Sequence, residues 1–470
     1  LAELMQVVSG GRDFGLSPSD VPGTGVTQAD LDALAAAAPD ADILPLSPLQ
    51  RGLYFQAEMT SGSRDTDSVD VYVTQAVVEL AGDIDLQRLQ NAADGLLARH
   101  RALRSGFVRT DSGAVVAVVP RRLTETVSVV DLTGADIDAN AIEARVAAIA
   151  DEQRLIPFDM TAPPLLRLVV VRFDGGARLV FTNHHILFDG WSGPLVLADL
   201  IALYATGATY TETLHRGTTD FGDHVLQLAR ADRAAGLRAW REVLAPLDGP
   251  TLVSSGLEAT TESLPRDHTV FLDADATAAI DELARSRGVT ISTVMQFAWA
   301  VLLSRLTGNR VVAFGETVSG RPADLAGAGS IVGLFINTLP AVVDVDPAQT
   351  IAQVLAKVQA DKVAVLDHQH VGLSEIMADT GSPVLFDTLA IHESYPIDTD
   401  SLSSDGAAAA GELAVQAVNT RDATHFPLYL STAPAGDRLS VTLKYLPAAF
   451  GDVQAQAFVN AMLSILDTAV

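Results

Sequence analysis

Two adjacent histidines, His184 and His185, followed by Asp189 and Gly190, are the residues of this chain best suited to handling a proton. Imidazole has the unperturbed pKa nearest neutrality, and a group matched to the working pH is what acyl transfer uses as acid or base. Asp189, four residues past His185, can orient an imidazole or pair with a distant arginine. Successive strand residues point to opposite faces, so one histidine can act while the other supports it. The same geometry argues against zinc, because neighbouring strand histidines do not converge easily on one ion. Gly190 has two open uses: to present a backbone N–H, or to permit a tight turn.

The flanking residues say what holds this pair. Arg178-Leu179-Val180-Phe181-Thr182-Asn183 reads as a strand running into the histidines. Beyond Trp191-Ser192-Gly193-Pro194, the residues Leu195, Val196, Leu197, Leu200, Ile201 and Leu203 recur at helical spacing. The histidines therefore sit where a buried strand ends and a helix begins. Further strands are expected at 71–80, 114–119 and 165–171, with an amphipathic helix over 84–100. A second set follows: a long helix over 222–245, a strand at 269–273, and helices at 275–287 and 291–306. Then come strands at 310–316 and 335–344, a helix at 350–366, strands at 384–393, 427–432 and 438–446, and a closing helix at 452–469. Two successive α/β mixtures of similar size predict two lobes, 44–220 and 221–470. Residues 1–43, with the turn-rich run Ser17 to Gly25 and a short capped helix from Thr27, read as an inter-domain linker or upstream tail.

Composition narrows the chemistry. The 470 residues are 48% hydrophobic, as in folded globular proteins, and too many for one comfortable core. Lys and Arg number 31 against 58 Asp and Glu, a net charge of −27, which argues against nucleic acid or an anionic membrane as partner. With no cysteine, disulfides, thiolate metal sites and a cysteine nucleophile are excluded. No apolar run reaches membrane-spanning length, and the expected location is the cytoplasm. No phosphate-cradling glycine loop occurs, so nucleotide hydrolysis has no support. His368 and His370, at the end of a helical pattern, are not read as metal ligands.

The stretch from His184 to Gly190 matches the HHxxxDG motif of nonribosomal peptide synthetase condensation domains, and other segments resemble that family's remaining signatures in the family's order. These are Ser47 to Leu53, Arg99 to Phe107, Thr219-Asp220-Phe221, Ile331 to Pro340, His368-Gln369-His370 and Arg421 to Leu428. The resemblance implies two chloramphenicol-acetyltransferase-like lobes forming a V-shaped pseudo-dimer around a central substrate tunnel. It implies amide formation between a donor and an acceptor, each a thioester on the phosphopantetheine arm of a carrier domain, with no cofactor held by the domain itself. The implied neighbours are upstream and downstream carrier domains, an upstream epimerisation domain and a downstream adenylation domain.

By the same resemblance His185 faces the tunnel, either as general base or as a group that holds the amine and the tetrahedral intermediate. His184 and Asp189 are supporting residues, and Arg321 is the implied partner of Asp189 across the lobes. Trp191 and Ser192 support the tunnel or belong to the core. Asn337, beside the bridge between lobes, belongs to a polar network. Leu44 to Gln50 resembles the subgroup that takes a donor ending in a D-residue and an L-acceptor. The sister reading, an epimerisation domain, is opposed by Asn337-Thr338-Leu339-Pro340, which resembles condensation domains. A non-catalytic recruiting domain is opposed by the intact motif.

Overall fold

The computed structural model describes residues 16–62, 70–134, 138–207, 219–254, 264–322, 324–393 and 414–470. The first half of the chain supplies α1 (Gln28–Ala37), β1 (Ala41–Leu44), α2 (Pro48–Gly62), β2 (Val73–Ala81), α3 (Leu86–Arg99), β3 (Gly106–Arg109), β4 (Val115–Pro120), β5 (Ser128–Asp131), α4 (Ala139–Leu155), β6 (Leu166–Phe173), β7 (Gly176–His184) and α5 (Ser192–Thr206). The second half supplies α6 (Phe221–Ala229), α7 (Arg233–Leu244), β8 (Arg266–Phe271), α8 (Ala274–Arg287), α9 (Ile291–Thr307), β9 (Val311–Val318), β10 (Asn337–Asp344), α10 (Ile351–Ala364), α11 (Leu373–Thr380), β11 (Thr388–His392), β12 (Ala414–Arg421), β13 (Leu428–Ala435), β14 (Arg438–Tyr445) and α12 (Asp452–Ala469).

Each half builds one helix-covered sheet. In the first, the strand order is β12-β2-β7-β6-β5. Val146, Ile149 and Ala150 of α4 pack on one face against Val169, Val171 and Val180. Leucines of α3 and α5 pack on the other face against Leu168, Val170, Leu179 and Phe181. A central strand covered on both faces has no polar side to present, which is why β7 reads as a nearly continuous apolar run. In the second half the order is β10-β9-β11-β13-β14-β8. Helices α8, α9, α10 and α12 cover one face of it, and α7 and α11 the other. No single described helix is long and apolar enough to cross a membrane.

Three features differ from the sequence reading or add to it. First, the described part of the expected linker 1–43 is packed against the domain. Thr27 and Asp30 cap α1 reciprocally, and Val21, Val26 and Leu31 are buried with Ile43 and Val116, so this segment packs under the small sheet β1-β4-β3. Second, the long helix over 222–245 is two helices. Arg230 ends α6, and Asp232 accepts from the Ala235 N–H at 3.0 Å to start α7. Third, β12 was not anticipated. It leaves the second lobe and pairs antiparallel with β2, from Ala414↔Ala81 to Arg421↔Gln75, as the edge strand of the first lobe's sheet.

Candidate active site

The end of β7 fixes both histidines through its neighbours. Val73 of β2 is paired with His184, and the backbone N–H groups of His184 and His185 donate to the carbonyls of Leu165 and Tyr72 at 2.9 and 2.8 Å. His184 is fully buried. Its Nδ1 accepts from the Ile186 N–H at 3.0 Å, so Nε2 carries the ring proton, and it lies 3.2 Å from the Asp70 carboxylate. Burial would raise the Asp70 carboxyl, but contact with His184 and the Tyr72 N–H outweighs it and holds Asp70 below the usual carboxylate range.

His185 is half-buried, and its Nδ1 lies 3.0 Å from the Phe188 carbonyl oxygen. A carbonyl only accepts, so Nδ1 carries the proton and Nε2 is left as the basic nitrogen of the ring. The division of labour expected from strand alternation is thus present. One ring is locked into buried contacts, and the other is held by one edge.

Asp189, 1% exposed, supports the turn. Its Oδ1 accepts from the Ser192 N–H at 2.9 Å, the Ser192 hydroxyl at 2.8 Å and Arg321 Nη2 at 3.1 Å, and its Oδ2 accepts from the Phe335 N–H at 3.0 Å. The Ser192 hydroxyl also lies 3.0 Å from the Gly333 carbonyl and 2.9 Å from Arg321 Nη2. Arg321 further donates to the carbonyls of Ile331, at 2.9 Å, and Ala328, and its guanidinium lies 4.1 Å from the Phe335 ring centroid and 5.4 Å from that of Trp191. The Trp191 indole N–H donates to the Gly329 carbonyl at 2.9 Å. A buried carboxylate given this many donors is compensated for its lost hydration. The network ties the histidine turn of the first lobe to the bridging segment 321–335 of the second.

Of the eight residues singled out in the sequence, Asp189, Ser192, Trp191 and Arg321 share one network, and His184 and His185 stand at the strand end that leads into it. Gly190 is exposed and does not take a left-handed φ, so the turn does not demand glycine on torsional grounds. Asn337 stands apart from the Asp189 network. Its amide donates to the carbonyls of Gln369 and Val371 at 2.8 and 2.9 Å, pinning that loop to β10. Residues not singled out are Gln50, whose Nε2 donates to the Ile186 carbonyl at 3.0 Å, and Asp70. Gln50 lies in the motif-like run Ser47 to Leu53, but Asp70 has no sequence signal. His215 falls outside the described residues. Among the described residues no cluster of metal-ligating side chains occurs.

Residues 40–470 match the model of the condensation domain family. The chain belongs to that family. It is 31% identical over 441 residues, 91% of its length, to a linear gramicidin synthase of Brevibacillus parabrevis. It is 36% identical over 373 residues, 78% of its length, to a chondramide synthase of Chondromyces crocatus. The condensation domain spans only 6% and 9% of the length of those two relatives. Among solved structures, a mutant starter condensation domain of rhizomide synthetase in complex with C8-CoA has a TM-score of 0.73 at 19% identity, covering 94% of this chain and 98% of that one. The first condensation domain of the calcium-dependent antibiotic synthetase, with a substrate analogue, has a TM-score of 0.69 at 19% identity, covering 91% and 96%. These likenesses establish the mixed α/β fold of two acetyltransferase-like lobes.

Proposed function

We propose that this condensation domain joins a donor acyl or peptidyl thioester to the amine of an aminoacyl thioester, forming an amide and releasing the donor thiol. The observation that carries the reading is the state of His185. One ring nitrogen is committed to the Phe188 carbonyl, and the other is left basic at the end of a strand whose turn is fastened across the lobes. A thioester is already activated, and an amine is a competent nucleophile once it has lost its proton. The domain needs to deprotonate and align rather than to supply a nucleophile of its own. Nε2 of His185 is the group that takes a proton from the attacking nitrogen as the C–N bond forms, while His184, Asp189, Ser192 and Arg321 position it. Substrates arrive on the phosphopantetheine arms of donor and acceptor carrier domains, in a channel between the lobes. An upstream epimerisation domain and a downstream adenylation domain complete the assembly.

The test is a single-turnover reaction between a loaded donor carrier and an aminoacyl acceptor carrier, followed by intact mass spectrometry of the acceptor. Wild-type protein is expected to transfer the donor mass, and His185→Ala to lose at least about a hundredfold in rate. Full activity in the variant would overturn the assignment. The likeness of Leu44 to Gln50 to the D-donor subgroup leads us to expect faster transfer from a D-ending donor than from its L-epimer. The reverse order would overturn that part.

A further inference from the structure

The second lobe places a set of charged side chains against the histidine turn that the Asp189 network does not use. Strand β12 stops at Arg421↔Gln75, and β2 is paired in turn with β7 through Val73↔His184. Asp422, the next residue, is therefore level with Thr74 and Asn183, two strands across from β7 and two residues short of His185, about 12 Å between backbones. Lys444, on β14, forms an ion pair with Asp422, and its ammonium lies 5.5 Å from the centroid of the Tyr429 ring. Just past β11, Glu393 accepts from the Ser431 hydroxyl at 3.0 Å, while its backbone N–H donates to the Thr432 carbonyl at 2.7 Å. The Asp422 side chain is 46% exposed, and charged groups from four elements act on it: Lys444, Arg154 of α4, Glu393 and, once protonated, His185.

We propose that Asp422 binds the ammonium of the acceptor aminoacyl thioester, and that Glu393 takes up the proton which that ammonium must lose before it can attack. This rests on the reading of the domain as amide-forming, and adds to it which residues receive the acceptor. The two carboxylates are held apart in acidity by their surroundings. Partial burial would raise Asp422, but Lys444 above all, with Arg154 behind it, outweighs that and keeps it ionised. Burial pushes Glu393 up and the nearby Asp422 charge adds to that, against the Ser431 hydroxyl and Lys444. Carboxylates separated in this way divide into an anchor that stays charged and a partner that takes up a proton more readily.

The proton count closes. The acceptor enters as an ammonium, and Glu393, as carboxylate, takes one proton directly or through a water. The free amine attacks the thioester carbonyl and the C–N bond forms. As the intermediate collapses the C–S bond breaks, and the second proton passes from nitrogen through His185 Nε2 to the departing sulfur. Glu393 then returns its proton to water.

The first experiment needs no turnover. Binding of a non-reactive aminoacyl pantetheine amide is compared by calorimetry with binding of its desamino analogue. Wild-type protein should bind the ammonium-bearing form at least about tenfold more tightly, and Asp422→Asn should abolish that preference. Because Asp422→Asn strands Lys444 without its partner, the double variant Asp422→Asn/Lys444→Met is run as well, and it too should show no preference. Equal binding of the two analogues by the wild type, or a preference that survives in both variants, overturns the proposal. In the condensation reaction, Asp422→Asn should raise the acceptor KM and leave the donor KM unchanged. Glu393→Gln should lower kcat and remove the acid limb of its pH profile, and an unshifted profile overturns the role of Glu393. Absence of amide formation in the wild type would instead count against the parent reading, which the binding comparison leaves untouched.

Discussion

His185 owes its orientation to groups that touch no substrate. Its ring is set by the Phe188 carbonyl, and the turn carrying that carbonyl is set by Asp189. Replacing Asp189 by Asn keeps the shape but removes the charge that faces Arg321, and turns an acceptor edge into a donor facing other donors. Breaking a buried pair from one side costs about 3–5 kcal/mol. Asp189→Asn and Arg321→Ala should each lower the unfolding free energy obtained from urea titration by that order, and the double variant should fall well short of their sum, because both act on one network. Strictly additive losses would mean that the two residues are not energetically joined. The chemistry of this turn was legible beforehand, since residue type and strand alternation already divided the work between the two histidines. Asp70 was not, because a single carboxylate outside any periodic segment acquires its meaning only when the fold brings it to His184.

At the scale of elements, the bridging segment joins the lobes by close backbone approach. A β-carbon built on Gly333 would lie 2.3 Å from the Phe221 ring, and one on Gly320 would lie 1.9 Å from the Phe335 carbonyl oxygen, in a backbone already at φ +59°. Gly333→Ala should therefore cost about 1–3 kcal/mol in thermal or urea unfolding, with partial recovery on adding Phe221→Leu. An unchanged midpoint would show that the bridge yields freely. Elements with strong periodicity were readable in advance: α3, α8, α9, α10, α12 and the strands buried on both faces. The break between α6 and α7 was masked because Arg230 and Asp232 interrupt an otherwise helical pattern only by a cap. Strand β12 was invisible for a different reason. Ala414–Arg421 buries little beyond Val415, so an edge strand held by backbone pairing leaves almost no hydrophobic signature.

For the whole molecule, two buried histidines weaken the fold in acid. His224, 1% exposed, lies between Phe221 and Phe335, and burial together with the Arg321 charge lowers it to about 4. His425, whose Nδ1 meets the Tyr72 hydroxyl, is lowered by burial to about 4 as well. Each is neutral in the folded state at a pH where the unfolded chain, with its histidines near 6.5, takes up a proton. The contribution of these two histidines to stability is therefore complete above about pH 6.5 and drains away as pH falls toward 4. The His224 share is on the order of 3 kcal/mol. Urea midpoints measured across that window should fall steeply in the wild type and less steeply in His224→Gln. Parallel slopes would remove His224 from the account.

Strand β12 also bears on how such proteins can be recombined. A cut near residue 220 looks like a natural seam between halves, yet it leaves residues 414–421 on the wrong side of it. A chimera that takes its first half from one synthetase and its second from another would pair a native β2 with a foreign edge strand. It would also set a foreign Asp422 beside the native histidine turn. The smallest exchangeable unit on the first-half side is thus discontinuous, and a graft that carries 414–422 along with its own sheet should fold where a simple two-piece splice fails.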